Sequence, residues 1–282
     1  MKASLTAACT RNRFANLNHA LTFMRGLMVP ALVTLLTACA THVSQPPKLE
    51  IDRSIQALSQ NSRVEYIVLH YTSASTERSL ELLSRRNVSS HYLITDDTPP
   101  KIYQLVDESR RAWHAGVSQW YGSAGINSAS IGIEIVNFGG SGTSWSPYPE
   151  AQIDALILLL KDIVQRHQIK RHNIVGHSDI APQRKVDPGP LFPWKRLADE
   201  GLARWFDEAK AAQYQAEFKR KGLPDIRWIQ STLERAGYSV PQTGELDKAT
   251  RNVIRAFQMR YRPRLYDGQP DAETLAILKS LP

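Results

Sequence analysis

Between residues 66 and 176, short apolar runs alternate with helix-forming stretches, and this order of signals limits the fold more than any other feature of the chain. Tyr66-Ile67-Val68-Leu69 is apolar and too short for a helix, the pattern of a buried strand. Ser75-Thr76-Glu77 is placed to cap a helix carrying Leu80, Leu82 and Leu83. His91 to Ile94 and Ile102 to Val106 read as two strands separated by the turn Asp96-Asp97-Thr98-Pro99-Pro100. Ile131, Ile133 and Ile135 alternate with Gly132, Glu134 and Val136, so one face of this strand is apolar and Glu134 projects from the other. Ala155 to Val164 is apolar nearly all round and predicts a buried helix, and Asn173 to Gly176 predicts a last short strand. The order predicts an α/β domain, a mixed central sheet flanked by helices, ending near residue 207.

The last strand leads into His177-Ser-Asp-Ile-Ala-Pro-Gln-Arg-Lys-Val-Asp-Pro-Gly189, which sets a histidine, a lysine and an aspartate around a proline-broken loop. A neutral imidazole and a carboxylate are both good zinc ligands, and a third ligand would leave a fourth position open for water. His70, closing the run from Tyr66, is the best third ligand beside His177 and Asp187. Glu134 lies on the polar face of another strand, and several strands of one sheet can deliver such groups to one mouth. Sequence alone leaves open whether they meet.

The formal net charge is +8, but Lys2, Arg11, Arg13 and Arg25 are the only charges before residue 39, and without that segment +4 remains. Such a weak balance, with no dense basic stripe, argues against nucleic acid and suits an anionic wall or membrane surface. The leader has scattered positive charge, the apolar run Leu27 to Thr37 and then small residues, as an export signal has. It is too short to span a bilayer. Leu36-Thr37-Ala38-Cys39 resembles the lipobox of bacterial lipoproteins, which makes Cys39 the expected lipid-modified N-terminus; an ordinary signal peptide with an incidental cysteine is the alternative. Ala40 then points to the outer membrane, and Met24 is a second candidate start. With Cys9 removed and Cys39 lipidated, the mature chain has neither free thiol nor disulfide. Residues 40–62 are polar, contain Pro46-Pro47 and lack helical periodicity, so they read as a tether. As a flexible coil it spans about 25 Å.

Five ordered segments carry a resemblance: Val68-Leu69-His70-Tyr71-Thr72, Ser90-His91-Tyr92-Leu93-Ile94, Arg111-Ala112-Trp113-His114-Ala115-Gly116, Gly132-Ile133-Glu134-Ile135, and Val175-Gly176-His177-Ser178-Asp179-Ile180-Ala181-Pro182 with Arg184-Lys185-Val186-Asp187-Pro188-Gly189-Pro190. From Tyr66 to about Trp194 the chain resembles the type-2 family of zinc-dependent N-acetylmuramoyl-L-alanine amidases. The resemblance implies one Zn²⁺ per chain on His70, His177 and Asp187, with Glu134 and Lys185 as catalytic groups acting on the amide between the muramic lactyl group and L-alanine. Lys185 lies two residues before Asp187, so in extended chain both point the same way. Trp113, His114, Tyr71 and Asn137, with Asn127, are expected substrate contacts by position. His91 is expected to be structural, Asp179 to bond loop amides, and His167 and His172 to face solvent. Two other readings stay open: a peptidoglycan-recognition protein without catalysis, which would be expected to lack a ligand or catalytic group, and a zinc peptidase cutting within the stem peptide.

The remaining third is different in kind. Residues 193–220 read as helical, charged sequence with Trp194, Leu197, Trp205 and Phe206, a helix closing the first domain and then a connector at 208–222; three helical patterns follow, each preceded by a capping aspartate: Asp225, Asp247 and Asp271. Gly244-Glu245-Leu246-Asp247, Ala256-Phe257-Gln258 and Asp267-Gly268-Gln269-Pro270-Asp271 resemble a three-helix peptidoglycan-binding module, whose alternative is a bundle that only buttresses its neighbour. The expected layout is a signal ending at Cys39, a tether at 40–62, an amidase domain at 63–207, a connector, and a smaller all-α domain at 223–282. The partners this implies are peptidoglycan or muropeptides and a membrane reached through lipid on Cys39, for a monomer in the bacterial periplasm.

Overall fold

The computed structural model describes residues 48–282, so the export signal, Cys39 and the first part of the tether lie outside the described residues. Residues 48–61 are exposed and carry neither helix nor strand. Among the described residues no helix is long and apolar enough to cross a membrane.

The apolar runs become strands in the expected order. After β1 (Tyr66–Tyr71) come α1 (Thr76–Arg85), β2 (Tyr92–Ile94) and β3 (Ile102–Gln104). Two small hairpins, β4 (Gln119–Trp120) with β5 (Ser123–Ala124) and β7 (Gly140–Ser141) with β8 (Ser144–Trp145), flank the long strand β6 (Ser130–Ile135). Then follow α2 (Glu150–His167), β9 (Ile174–Gly176), the single turn α3 (His177–Ile180) and α4 (Trp194–Asp199). Ser75 caps α1 as expected, its side chain accepting from the Arg78 N–H. The main sheet has the order β3-β2-β6-β1-β9, parallel except for the antiparallel β2–β3 pair.

Side-chain alternation divides this sheet into two faces. Ile67, Leu69, Ile131, Ile133 and Ile135 join Leu156, Leu160 and Ile163 of α2 in one apolar cluster. Helix α2 is less buried than its composition predicts: Leu158 is 69% exposed, and only one side of the helix meets the sheet. Tyr66, Val68 and Val175, on the other face, share a cluster with Ile229, Leu233, Phe257 and Leu275 of the C-terminal helices. The sheet and the helical region therefore have one continuous core.

The stretch expected as a connector is a helix, α5 (Glu208–Lys221), packed against the last helix of the chain. The three patterns after Gly222 form α6 (Ile226–Arg235), α7 (Lys248–Tyr261) and α8 (Ala272–Lys279). Asp225, Asp247 and Asp271 cap them, each side chain accepting a backbone N–H three residues on. A repeated polar device ties this bundle. The Gln230 amide donates to Thr243, Glu245 and Thr250 and accepts from the Gly244 N–H; the Gln258 amide donates to Gln269 and Thr274 and accepts from the Gly268 N–H. Gly268 has φ +74° and its absent Cβ would lie 2.6 Å from the Arg251 carbonyl oxygen, so that turn admits only glycine.

A buried ion pair crosses between the two regions. Arg260 of α7 donates to Asp179 of α3 at 2.6 Å, and both are almost wholly buried. Asp179 also accepts from the Gly176 N–H and from the Tyr238 hydroxyl, each at 2.8 Å. The expectation that Asp179 bonds loop amides is thus met by one bond, while its other two partners come from the C-terminal region.

Candidate active site

The parallel strands β1, β6 and β9 end on one edge, and every metal-site candidate is delivered there. Register places His70 beside Glu134, while His177 follows directly on Gly176 of β9. Open α/β sheets bind ligands at the carboxyl ends of their strands, and this edge follows that rule. Asp187 arrives on the loop after α3, whose return is fixed by the Ser178 N–H donating to the Asp187 carbonyl at 2.8 Å.

His70 Nδ1 and His177 Nδ1 lie 3.0 and 3.1 Å from the same Asp187 oxygen, and the three ligand atoms fall within 4.8 Å of one another. The far side of each ring determines what the near side offers. His177 Nε2 lies 3.1 Å from the Ala115 carbonyl oxygen, an acceptor, and 3.3 Å from the Arg184 guanidinium, a donor; with Nε2–H given to the nearer carbonyl, Nδ1 presents a lone pair. Two acceptors 3.1 Å apart repel unless a cation, a proton or a metal ion, bridges them. Burial, and next the neighbouring His177, lower the His70 pKa to about 4 against the opposing pull of Asp187, so this imidazole is neutral near pH 7. Asp187 stays ionised, since the two histidines outweigh the effect of its burial. Two imidazoles and one buried carboxylate form a donor set that suits zinc and leaves a fourth position open.

His114 holds His70 from behind. Its Nδ1 is 3.1 Å from His70 Nε2 and its Nε2 is 3.1 Å from Ser130 Oγ, so one chain of hydrogen bonds orients the ligand ring. The ring lies flat against β6 because residue 132 has no side chain: a Cβ on Gly132 would stand 2.4 Å from His114 Cγ. Asn127, expected near substrate, accepts from the backbone N–H groups of His114 and Ala115 at 3.1 and 2.8 Å. Arg184, which the sequence reading passed over, donates to the Ala115 and Val117 carbonyls and clamps the same loop. Its only sequence signal is its place next to Lys185.

Glu134 Oε2 is buried without a hydrogen-bond partner among the described residues. Burial first, and then Asp187, push its pKa well above the ordinary carboxylate value, against the opposing charge of Lys185. A cavity of about 340 Å³ is lined by His70, Glu134, His177, Lys185 and Asp187, together with Tyr71, Trp113 and His114. Trp113 is 52% exposed at its rim, with the Arg111 guanidinium 4.1 Å from its ring centre. A larger cavity of about 830 Å³ lies elsewhere, between Arg63, Tyr92, Glu108 and Arg166, and contains none of the candidate ligand residues. Size is therefore the wrong guide here, and the convergence of ligand atoms the right one.

Three expectations are corrected. Asn137 does not line the cavity: it is buried, its amide donates to the Ser146 and Pro147 carbonyls and accepts from the Gly139 N–H, so it ties the segment after β8 to the start of the β7–β8 hairpin. His167 is half-buried between Ser62 Oγ and Glu108, both at 2.7 Å. His172 is half-buried with its ring edge-on to Tyr121. His91 meets its structural expectation, its ring bonding the Gly132 N–H and the Arg110 carbonyl.

Comparison with known proteins agrees with this geometry. Residues 60–190 match the family model described as N-acetylmuramoyl-L-alanine amidase, and residues 222–278 match a putative peptidoglycan binding domain. The N-acetylmuramoyl-L-alanine amidase AmiD of Escherichia coli is 42% identical over 262 residues, covering 89% of this chain and 95% of that one. This chain belongs to the N-acetylmuramoyl-L-alanine amidase family. Among solved amidase structures, AmpDh3 from Pseudomonas aeruginosa superposes with a TM-score of 0.78 at 40% identity, over 83% of this chain and 98% of that one. AmiD from E. coli, in complex with anhydro-N-acetylmuramic acid-L-Ala-D-gamma-Glu-L-Lys, has a TM-score of 0.73 at 42% identity, over 82% and 93% of the two chains. The amidase assignment disfavours both the recognition-protein and the peptidase readings, in keeping with the intact set of five polar residues around the cavity.

Proposed function

We propose that the protein is a zinc amidase that releases stem peptides from peptidoglycan fragments of the kind bound in the AmiD complex, with His70, His177 and Asp187 as ligands and Glu134 and Lys185 as catalytic groups. The observation that carries the proposal is the meeting of three ligand atoms within 4.8 Å, beside a carboxylate whose Oε2 has no partner among the described residues. A zinc ion held by these residues would supply Lewis-acid polarisation of the amide carbonyl and activate water for attack. Glu134 takes the proton of the attacking water, and its raised pKa lets it keep that proton until the leaving L-alanine nitrogen accepts it. The ammonium of Lys185 stabilises the negative charge that develops on the carbonyl oxygen. Trp113 and Tyr71, on the walls of the cavity, contact the substrate.

The proposal extends to location. Cys39 carries lipid and holds the protein at the periplasmic face of the outer membrane, and the helical region contacts the wall as a monomer. An intact mass consistent with acylation of Cys39, lost in Cys39→Ser, is the expected result for the anchor.

The test of the chemistry is peptide release from an anhydromuramyl tripeptide, followed by mass spectrometry, in protein stripped by a chelator and reloaded with metal ions. Zinc restores release of a peptide with a free L-alanine amino group, and Lys185→Ala lowers the rate about 10²- to 10³-fold. Full activity in chelator-treated protein, or a Lys185→Ala rate within twofold of the parent, overturns the assigned roles.

A further inference from the structure

Beside the catalytic cavity lies a second one of about 300 Å³, walled by Val186 and Trp145 from the amidase region and by Arg255, Met259 and Tyr266 from the helical region. The two cavities share Val186, and the ring of Trp145 stands 6.4 Å from that of Tyr71 in the first. Trp145 is fixed in place, its indole N–H donating to the Gly142 carbonyl at 3.0 Å and to the Tyr266 hydroxyl at 2.9 Å. Arg255 is different. It is half-buried, its guanidinium makes one long bond of 3.5 Å to Asn252 Oδ1, and among the described residues it has no ion-pair partner. Asp267 lines the same cavity without pairing with Arg255; its Oδ1 accepts from the Gln269 N–H at 3.0 Å and from the Gln258 amide of α7 at 3.4 Å.

A guanidinium presents five N–H donors in a fork that matches a carboxylate, and a half-buried one without its acid is a ready receiver for that group. We infer that Arg255 binds a carboxylate of the stem peptide distal to the cleaved bond, so that the helical region supplies one wall of the substrate groove. The inference rests on the amidase reading above. A γ-linked glutamate, as in the AmiD ligand, leaves its α-carboxylate free, and each stem peptide also ends in a carboxylate. Glycan freed of peptide carries only the lactyl carboxylate at the cleaved bond itself, whereas the stem peptide carries its carboxylates farther from that bond.

The test compares kcat and KM of the purified protein and of Arg255→Ala on muropeptides carrying a monopeptide or a tetrapeptide stem. The expected result is a KM raised about tenfold or more on the tetrapeptide, with kcat unchanged and little effect on the monopeptide, since a hydrogen-bonded charge contact is lost. Arg255→Lys restores part of the loss because it keeps the charge without the fork. Equal effects on both substrates, no effect on either, or an effect that follows glycan length instead of stem length overturns the inference. A parent protein inactive on both substrates would instead overturn the amidase reading, and this inference with it.

Discussion

Replacing Arg260 with methionine tests whether the C-terminal helices hold the loop that carries His177. The pair that would be broken is 2.6 Å long and nearly free of solvent, and removing one partner of such a pair costs about 3 to 5 kcal/mol because a buried charge loses its counterion. Asp179 would keep its bonds from the Gly176 N–H and the Tyr238 hydroxyl, which argues for the low end of that range. The Arg260 guanidinium also lies 3.9 Å over the Trp194 ring, a contact worth about 1 kcal/mol that methionine replaces only in part. The net expectation is a loss of about 3 kcal/mol, seen as a urea midpoint lowered by about 1.5 M at an m-value of about 2 kcal/mol/M. Adding Asp179→Asn to Arg260→Met removes the uncompensated charge and recovers part of the loss. A single-variant loss under about 1 kcal/mol, or a double variant as unstable as the sum of the singles, would refute the reasoning.

Other expectations concern smaller parts of the structure. Gly132→Ala drives a Cβ into the His114 ring, so His70 loses its backing, and zinc affinity falls about 10- to 100-fold in a competition titration; unchanged affinity removes His114 from the ligand-positioning role. Gln258→Leu strands the Gly268 N–H and the Gln269 carbonyl, and a loss of about 2 kcal/mol or more in chemical denaturation is expected; a neutral result means water replaces the amide. The Glu108 pKa is lowered to about 2, since hydrogen bonds from Arg166, His167 and Tyr92 outweigh the raising effect of burial. A depressed carboxylate stabilises the fold above its unfolded value of 4.5, and that stability is lost as pH falls from 4.5 through about 2. Glu108→Gln is therefore expected to flatten the decline in urea midpoint between about pH 6 and pH 3, and an unaltered slope rejects the assignment.

Strand order, helix caps and the residues that converge on the cavity were legible because each has a local signature. The alternation at Ile131, Ile133 and Ile135 predicted which face of β6 carries Glu134, and the aspartates at 225, 247 and 271 marked three helix starts. What escaped the sequence reading depends on distant partners. Asn137 looks like a groove residue, yet its bonds go to carbonyls nine and ten residues on. The role of Asp179 depends on Arg260, 81 residues away, although a charge on the apolar side of α7, one helical stripe from Val253 and Phe257, was a readable sign of a buried partner. The helical character of α5 is readable from its sequence, but its packing is not: its buried Ala211 and Phe218 gain meaning only against α8.

The continuous core under the sheet has a consequence for evolution and engineering alike. A chain whose catalytic strands and C-terminal helices bury the same apolar surface cannot exchange either half as an independent cassette. Cutting after residue 207 would bare Tyr66, Val68 and Val175 to water, so the expected product is an aggregating fragment, not a minimal enzyme. Any new specificity has to be written into loops such as 263–267, leaving unchanged the helix faces that pack beneath the sheet.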